Sequence, residues 1–72
     1  MREFTVIYER GTDGGWGAYA PDLPGLGVAA ETREEARQLM IEGIRIHIEG
    51  MIEDGLPIPQ SSSFAELISV FA

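Results

Sequence analysis

Thr32-Arg33-Glu34-Glu35-Ala36-Arg37-Gln38-Leu39-Met40-Ile41-Glu42-Gly43-Ile44-Arg45-Ile46-His47-Ile48-Glu49-Gly50-Met51-Ile52-Glu53-Asp54 is the stretch on which the architecture turns. It opens with a Thr followed three residues later by a Glu, the spacing at which hydroxyl and carboxylate cap free backbone N–H groups. It closes at Gly55, a residue that takes the left-handed conformation beyond a last helical turn without a Cβ penalty, and Pro57 follows. Stepped at about 100° per residue, Ala36, Leu39, Met40, Gly43, Ile44, His47, Gly50 and Met51 gather on one side. Ile41, Ile48 and Ile52 widen that side on one flank and Ile46 on the other, leaving Gln38, Glu42, Arg45, Glu49 and Glu53 as a compact polar strip. A helix packed on one sheet needs an apolar stripe a little over ~100° wide, and this one is about twice that. The surplus calls for cover from outside the chain.

Seventy-two residues make one small domain, and a chain of this size buries only ~60% of the surface its unfolded form exposes. Such domains add disulfides, a metal or a partner. Without cysteine there is no disulfide or thiolate site, and the single His47 does not make a zinc site. Self-association is the support that remains. The net charge is −7, from 12 acids against 5 scattered arginines. That excludes the cation clustering that direct phosphate binding requires and favours a basic protein partner. Met1-Arg2-Glu3-Phe4 is no signal peptide and no apolar run approaches ~20 residues, so a cytoplasmic protein is expected.

Outward from the helix, Glu3 to Glu9 alternates Phe4, Val6 and Tyr8 with Thr5 and Ile7 and reads as a strand. Asp13-Gly14 marks a hairpin turn. The glycines at 11, 14 and 15 lack the following helix, the Lys and the GxGxxG spacing of a phosphate loop. Trp16 to Ala20 is a second strand whose small residues allow close approach of a helix or another chain. Pro21-Asp22-Leu23-Pro24-Gly25 breaks the ladder, and Gly27 to Glu31 is a third strand feeding the helix cap. After a Pro- and Ser-rich loop, Ala65 to Val70 reads as a fourth strand, with Phe64, Ile68 and Val70 on one face and Leu67 and Phe71 on the other. The expected fold is α+β, in the order β-β-β-α-β, with one long helix on one face of a four-stranded mixed sheet.

Tyr19-Ala20-Pro21-Asp22-Leu23-Pro24-Gly25, Glu31-Thr32-Arg33-Glu34-Glu35-Ala36 and the ending Glu53-Asp54-Gly55-Leu56-Pro57-Ile58-Pro59 resemble the signature of the HicB-type antitoxin family, over roughly residues 3 to 71. The resemblance implies a partial ribonuclease-H-like fold with strand four beside strand one. It also implies a non-enzymatic role, in which the chain binds a small HicA toxin, an RNA-cleaving protein, and blocks its active site. Leu26 stands where many members have a Cys after the signature glycine, and Arg45 is the last basic residue. The chain therefore reads as one HicB-like domain over 1–72 without a DNA-binding domain. A self-associating structural or small-ligand-binding domain that has lost its toxin is the alternative.

No residue is assigned to catalysis, to a cofactor or to a metal. Two-metal phosphodiester chemistry needs carboxylates converging on ions ~4 Å apart. Strand one offers Thr5-Val6-Ile7 at its middle, strand four offers only Glu66, and Glu42 and Glu49 lie on the polar strip. His47 reads as a partly buried imidazole on the apolar side. Trp16, Tyr19, Pro21, Asp22 and Leu23 are candidate partner contacts. Trp16 and Tyr19 could equally be core, and Asp22 a turn cap. Ile41, Ile48, Ile52, Ile68 and Val70 are candidate contacts between copies of the chain.

Overall fold

Local capping fixes the helix, and the rest of the chain is arranged under it. The structure, a computed structural model, describes residues 2–71. Helix α1 spans Arg33–Glu53 with Thr32 as its N-cap, and the Thr32 hydroxyl accepts from Glu35 N–H at 3.1 Å. The Glu35 carboxylate accepts from Glu31 N–H at 3.0 Å, one residue earlier than a capping box reaches. At the other end Gly55 has φ +69°. Its N–H donates to Ile52 C=O at 3.1 Å, and Leu56 N–H donates to Met51 C=O at 2.9 Å. These are the two bonds of a Schellman stop.

Three strands, β1 (Ile7–Arg10), β2 (Trp16–Tyr19) and β3 (Gly27–Ala30), form an antiparallel sheet in the order β1-β2-β3. Tyr8, Ala18 and Val28 lie side by side across it, as do Ile7, Tyr19 and Gly27. The ladder between β1 and β2 ends at Ile7 and Tyr19 because Pro21 has no N–H and the chain turns there, Leu23 N–H donating to Ala20 C=O. Residues 3–6 therefore continue beyond the ladder.

The helix lies over β2 and β3, with β1 to one side. Ala18, Ala20, Leu23, Ala36 and Met40 are the buried core, ringed by Phe4, Val6, Tyr8, Trp16, Leu26, Val28, Ala30, Ile44 and Ile48. Three of the five core residues are alanines, so the small side chains of β2 serve close approach of this chain's own helix. Trp16, Ala18 and Ala20 are thus the helix-facing residues, and Gly17 and Tyr19 belong to the opposite face.

The expected fourth strand and four-stranded mixed sheet are not formed. Residues 64–71 carry no regular secondary structure. Phe64, Leu67, Ile68, Val70 and Phe71 are 87, 101, 74, 79 and 108% exposed. The reason lies in their patterning. Both faces of this segment are apolar, so as a strand it needs cover on both sides. Helix α1 already lies over β2 and β3. The segment projects instead as an arm, and the molecule measures 48 × 27 × 19 Å.

Candidate protein-binding site

Beyond the five core residues the molecule offers surfaces rather than a chemical centre. Among the described residues no charged or polar residue is buried, and no three His, Asp or Glu side chains converge as a group that could hold a metal. Glu42 and Glu49 bracket Arg45 at 2.9 and 3.5 Å on the exposed helix face. The hairpin loop turns its own donors inward: Gly15 N–H donates to the Asp13 carboxylate, Gly11 N–H to Gly15 C=O and Gly14 N–H to Gly11 C=O. Those N–H groups are not aimed at a phosphate.

The residues singled out in the signature turn separate into different environments. Leu23 is fully buried and, with Met40, is one of the two large side chains wholly inside the core. Trp16 is half-buried at the rim of the core, with the Arg10 guanidinium 5.8 Å from its ring centroid. That cation–aromatic pair holds the indole against the sheet. Tyr19 points to the opposite face and is 42% exposed. Pro21 is exposed beside it. On this second face, Ile7, Tyr19 and Gly27 share one cross-strand row and Glu9, Gly17 and Ala29 the next, which gives an apolar platform bordered by the Glu9 carboxylate.

Asp22 is engaged far from its own turn. One carboxylate oxygen accepts from Ser62 N–H and Ser63 N–H, both at 3.0 Å. The other accepts from the Ser62 and Ser63 hydroxyls at 3.1 and 2.9 Å. The Ser63 N–H is the largest influence holding its carboxyl below the ordinary range, against the opposing effect of burial, with the Ser63 hydroxyl and both Ser62 donors adding to it. Thr5 completes the clasp by donating its hydroxyl to Ser63 C=O at 2.7 Å. Sequence reasoning offered Asp22 as a partner contact or a local turn cap and did not find this clasp. The three consecutive serines at 61–63 were its only trace.

The candidate contacts between copies are also spread out. Ile41 and Ile52 are 49 and 58% exposed, whereas Ile48 packs against the core. Ile68 and Val70 lie on the arm. Leu39 and Ile46 add to the helix's uncovered apolar area. Seven of the twelve acids fall between Glu31 and Asp54, against three of the five arginines. The helix side therefore carries much of the negative charge. Among the described residues no helix is long and apolar enough to cross a membrane.

A family model described as the HicB-like antitoxin of bacterial toxin–antitoxin systems matches residues 4–70. A UPF0150 protein of Synechocystis sp. is 34% identical over 67 residues, covering 93% of this chain and 85% of that protein. A second UPF0150 protein of the same organism is 36% identical over 58 residues, 76% of this chain and 81% of its own length. An uncharacterized 14.9 kDa protein in the rep-hol intergenic region of Haemophilus phage HP1 is 35% identical over 66 residues, 92% of this chain. The chain spans about half the length of that phage protein (49%). No solved structure matches at a significant level.

Proposed function

The chain belongs to the HicB-like antitoxin family of bacterial toxin–antitoxin systems, and from that premise we propose that it is a non-enzymatic antitoxin domain that binds and blocks a small basic HicA-type RNA-cleaving toxin. The observation that carries this reading is the family match from residue 4 to 70, combined with a net charge of −7. A protein that cleaves RNA must hold phosphates with cations. An acidic partner competes for those same cations and is drawn to them by long-range attraction. The platform of Ile7, Tyr19 and Pro21 is the contact surface we favour, with Asp22 and Leu23 holding the turn that presents it, while Trp16 belongs to the helix-facing side. The domain acts in the cytoplasm, as its toxin's substrate requires.

Self-association is the second part of the reading. It is favoured by the exposed apolar side chains of Ile41 and Ile52 on the helix and of Ile68 and Val70 on the arm. An oligomer that also covered Tyr19 and Pro21 would leave no surface for a toxin, and would favour the alternative of a structural domain without one.

Co-expression with a HicA-type toxin tests the proposal. The toxin should be retained through purification at low salt, with an association rate that falls steeply as salt is raised. Failure of several such toxins to bind overturns it. RNA cleavage by the purified chain itself would overturn the non-enzymatic part.

A further inference from the structure

The chain exposes 5842 Å². A compact monomer of 7.9 kDa exposes about 4,400 Å². The excess of about 1,400 Å² is more than the ~800 Å² that each partner contributes to an interface of standard size. The radius of gyration is 14.0 Å, against about 11 Å for a compact chain of this length. Most of this expansion is traceable to the arm, whose five large apolar side chains stand almost free in solvent.

We propose that two copies of the chain exchange their arms, so that residues 64–71 of each lie along the free edge of β1 on the other. This specifies the mode of the self-association proposed above and rests on it. Within one chain the sheet keeps its three strands. Four observations point to a second copy as the occupant.

The arm's root and the acceptor edge are neighbours, since Thr5 holds Ser63 at the approach to β1. A two-fold axis placed beside that point brings each arm to the other copy's edge in a single arrangement, as a symmetric dimer requires. The lengths also agree. Eight arm residues, 64–71, extend to about 26 Å, enough to cover the five residues from Val6 to Arg10 that lie beyond the point where Thr5 holds Ser63.

The acceptor is incomplete as it stands. Among the described residues β1 pairs only with β2, so its other edge offers unpaired backbone donors and acceptors. Phe4, Val6 and Tyr8 are only half-buried there because the helix sits over β2 and β3. Finally, the arm's one charge is Glu66. A basic toxin would find almost nothing on the arm to attract it, whereas Arg2 at the start of the acceptor segment complements Glu66.

The Asp22 clasp gives the exchange its direction. It fixes Ser62 and Ser63 to the body, so the chain leaves from a set point and only the apolar part crosses over.

An equimolar mixture of isotope-labelled and unlabelled wild-type chains tests the exchange directly. Intermolecular NOEs should join Phe64, Ile68 and Val70 of one chain to Val6, Ile7 and Tyr8 of the other. In a second measurement, Ile68→Ser with Val70→Ser should raise the dimer dissociation constant by about a hundredfold or more, since each buried branched side chain is worth over tenfold. The helical CD of the body should be unchanged, because the arm supports nothing within its own chain. A dimer whose only intermolecular NOEs join helix flanks overturns the exchange while leaving self-association intact. Arm NOEs that are purely intramolecular overturn it. So do arm contacts that appear only when a HicA-type toxin is added. A folded wild-type monomer at the concentrations of the NMR sample overturns both the exchange and the self-association beneath it.

Discussion

Replacing Leu23 by Ala separates the packing role of the signature turn from its part in binding. Leu23 is 0% exposed, and only Met40 matches it in size and burial. Leu-to-Ala changes in cores cost about 2–5 kcal/mol, more where the site cannot collapse. This site has little freedom to collapse. Its other core neighbours are Ala18, Ala20 and Ala36, which have no side chain to swing inward. The turn itself is tied by Leu23 N–H to Ala20 C=O at 3.0 Å and by Leu26 N–H to Leu23 C=O at 3.2 Å. We therefore expect the upper half of the range, about 3–4 kcal/mol. A domain of 72 residues has roughly 4–11 kcal/mol in all, so the variant should be marginal. Urea titration followed by helical CD, at one fixed protomer concentration, reads the loss as a fall in midpoint of about 2–3 M, taking a slope near ~1.5 kcal/mol/M. Tyr19→Ala on the open face is the control and should cost under about 1 kcal/mol, within the ordinary surface range. A Leu23→Ala chain that loses less than about 1 kcal/mol while losing its partner would refute the assignment of Leu23 to the core.

Acid should open the Asp22 clasp, but late. The carboxyl sits below its ordinary range in the folded chain, so its contribution is complete above that range and is lost as pH falls through the lowered value. The Ser62 and Ser63 amide resonances should stay fixed until the pH is below the usual aspartate range, and Asp22→Asn should abolish the step. Movement at or above that range contradicts the clasp. Thr32→Ala removes the hydroxyl that accepts from Glu35 N–H and should cost about 1 kcal/mol in thermal or urea unfolding; no loss would show that the cap is dispensable. Gly50 lies within the helix, and a Cβ added there would meet nothing within 4 Å. Gly50→Ala should therefore stabilise the chain by about 0.5–1 kcal/mol. Destabilisation there would mean that another chain occupies the space.

What could be read from the sequence was what neighbouring residues decide among themselves. Thr32, Glu35 and Gly55 act within a turn or so of where they stand, so the helix ends were legible to within a residue. Asp13-Gly14 marked the hairpin for the same reason, and β2 and β3 fall within the runs expected, whereas β1 begins only at Ile7 of the run expected from Glu3 to Glu9 and passes its end by one residue, to Arg10. The fourth strand failed because a strand is defined by its neighbour. Ala65 to Val70 has the composition of a strand, but it pairs with neither free edge of the sheet, and the helix, lying over β2 and β3, does not cover it. Strand alternation put Trp16 and Tyr19 on opposite faces but could not say which face the helix covers, because that depends on how the helix lies across β2 and β3. The Asp22 clasp was out of reach because its partners are 40 and 41 residues away and carry no pattern beyond a run of serines.

Inhibition of RNA cleavage by a purified HicA-type toxin tests the proposed function most directly. Titrated with this chain at fixed toxin and substrate, cleavage should fall linearly and stop at a fixed stoichiometric ratio, as it does when a tight complex closes the active site. Tyr19→Ala, with its fold intact, should need a clear excess to reach the same point. Cleavage that continues undiminished at many-fold excess of the wild-type chain would contradict the antitoxin reading.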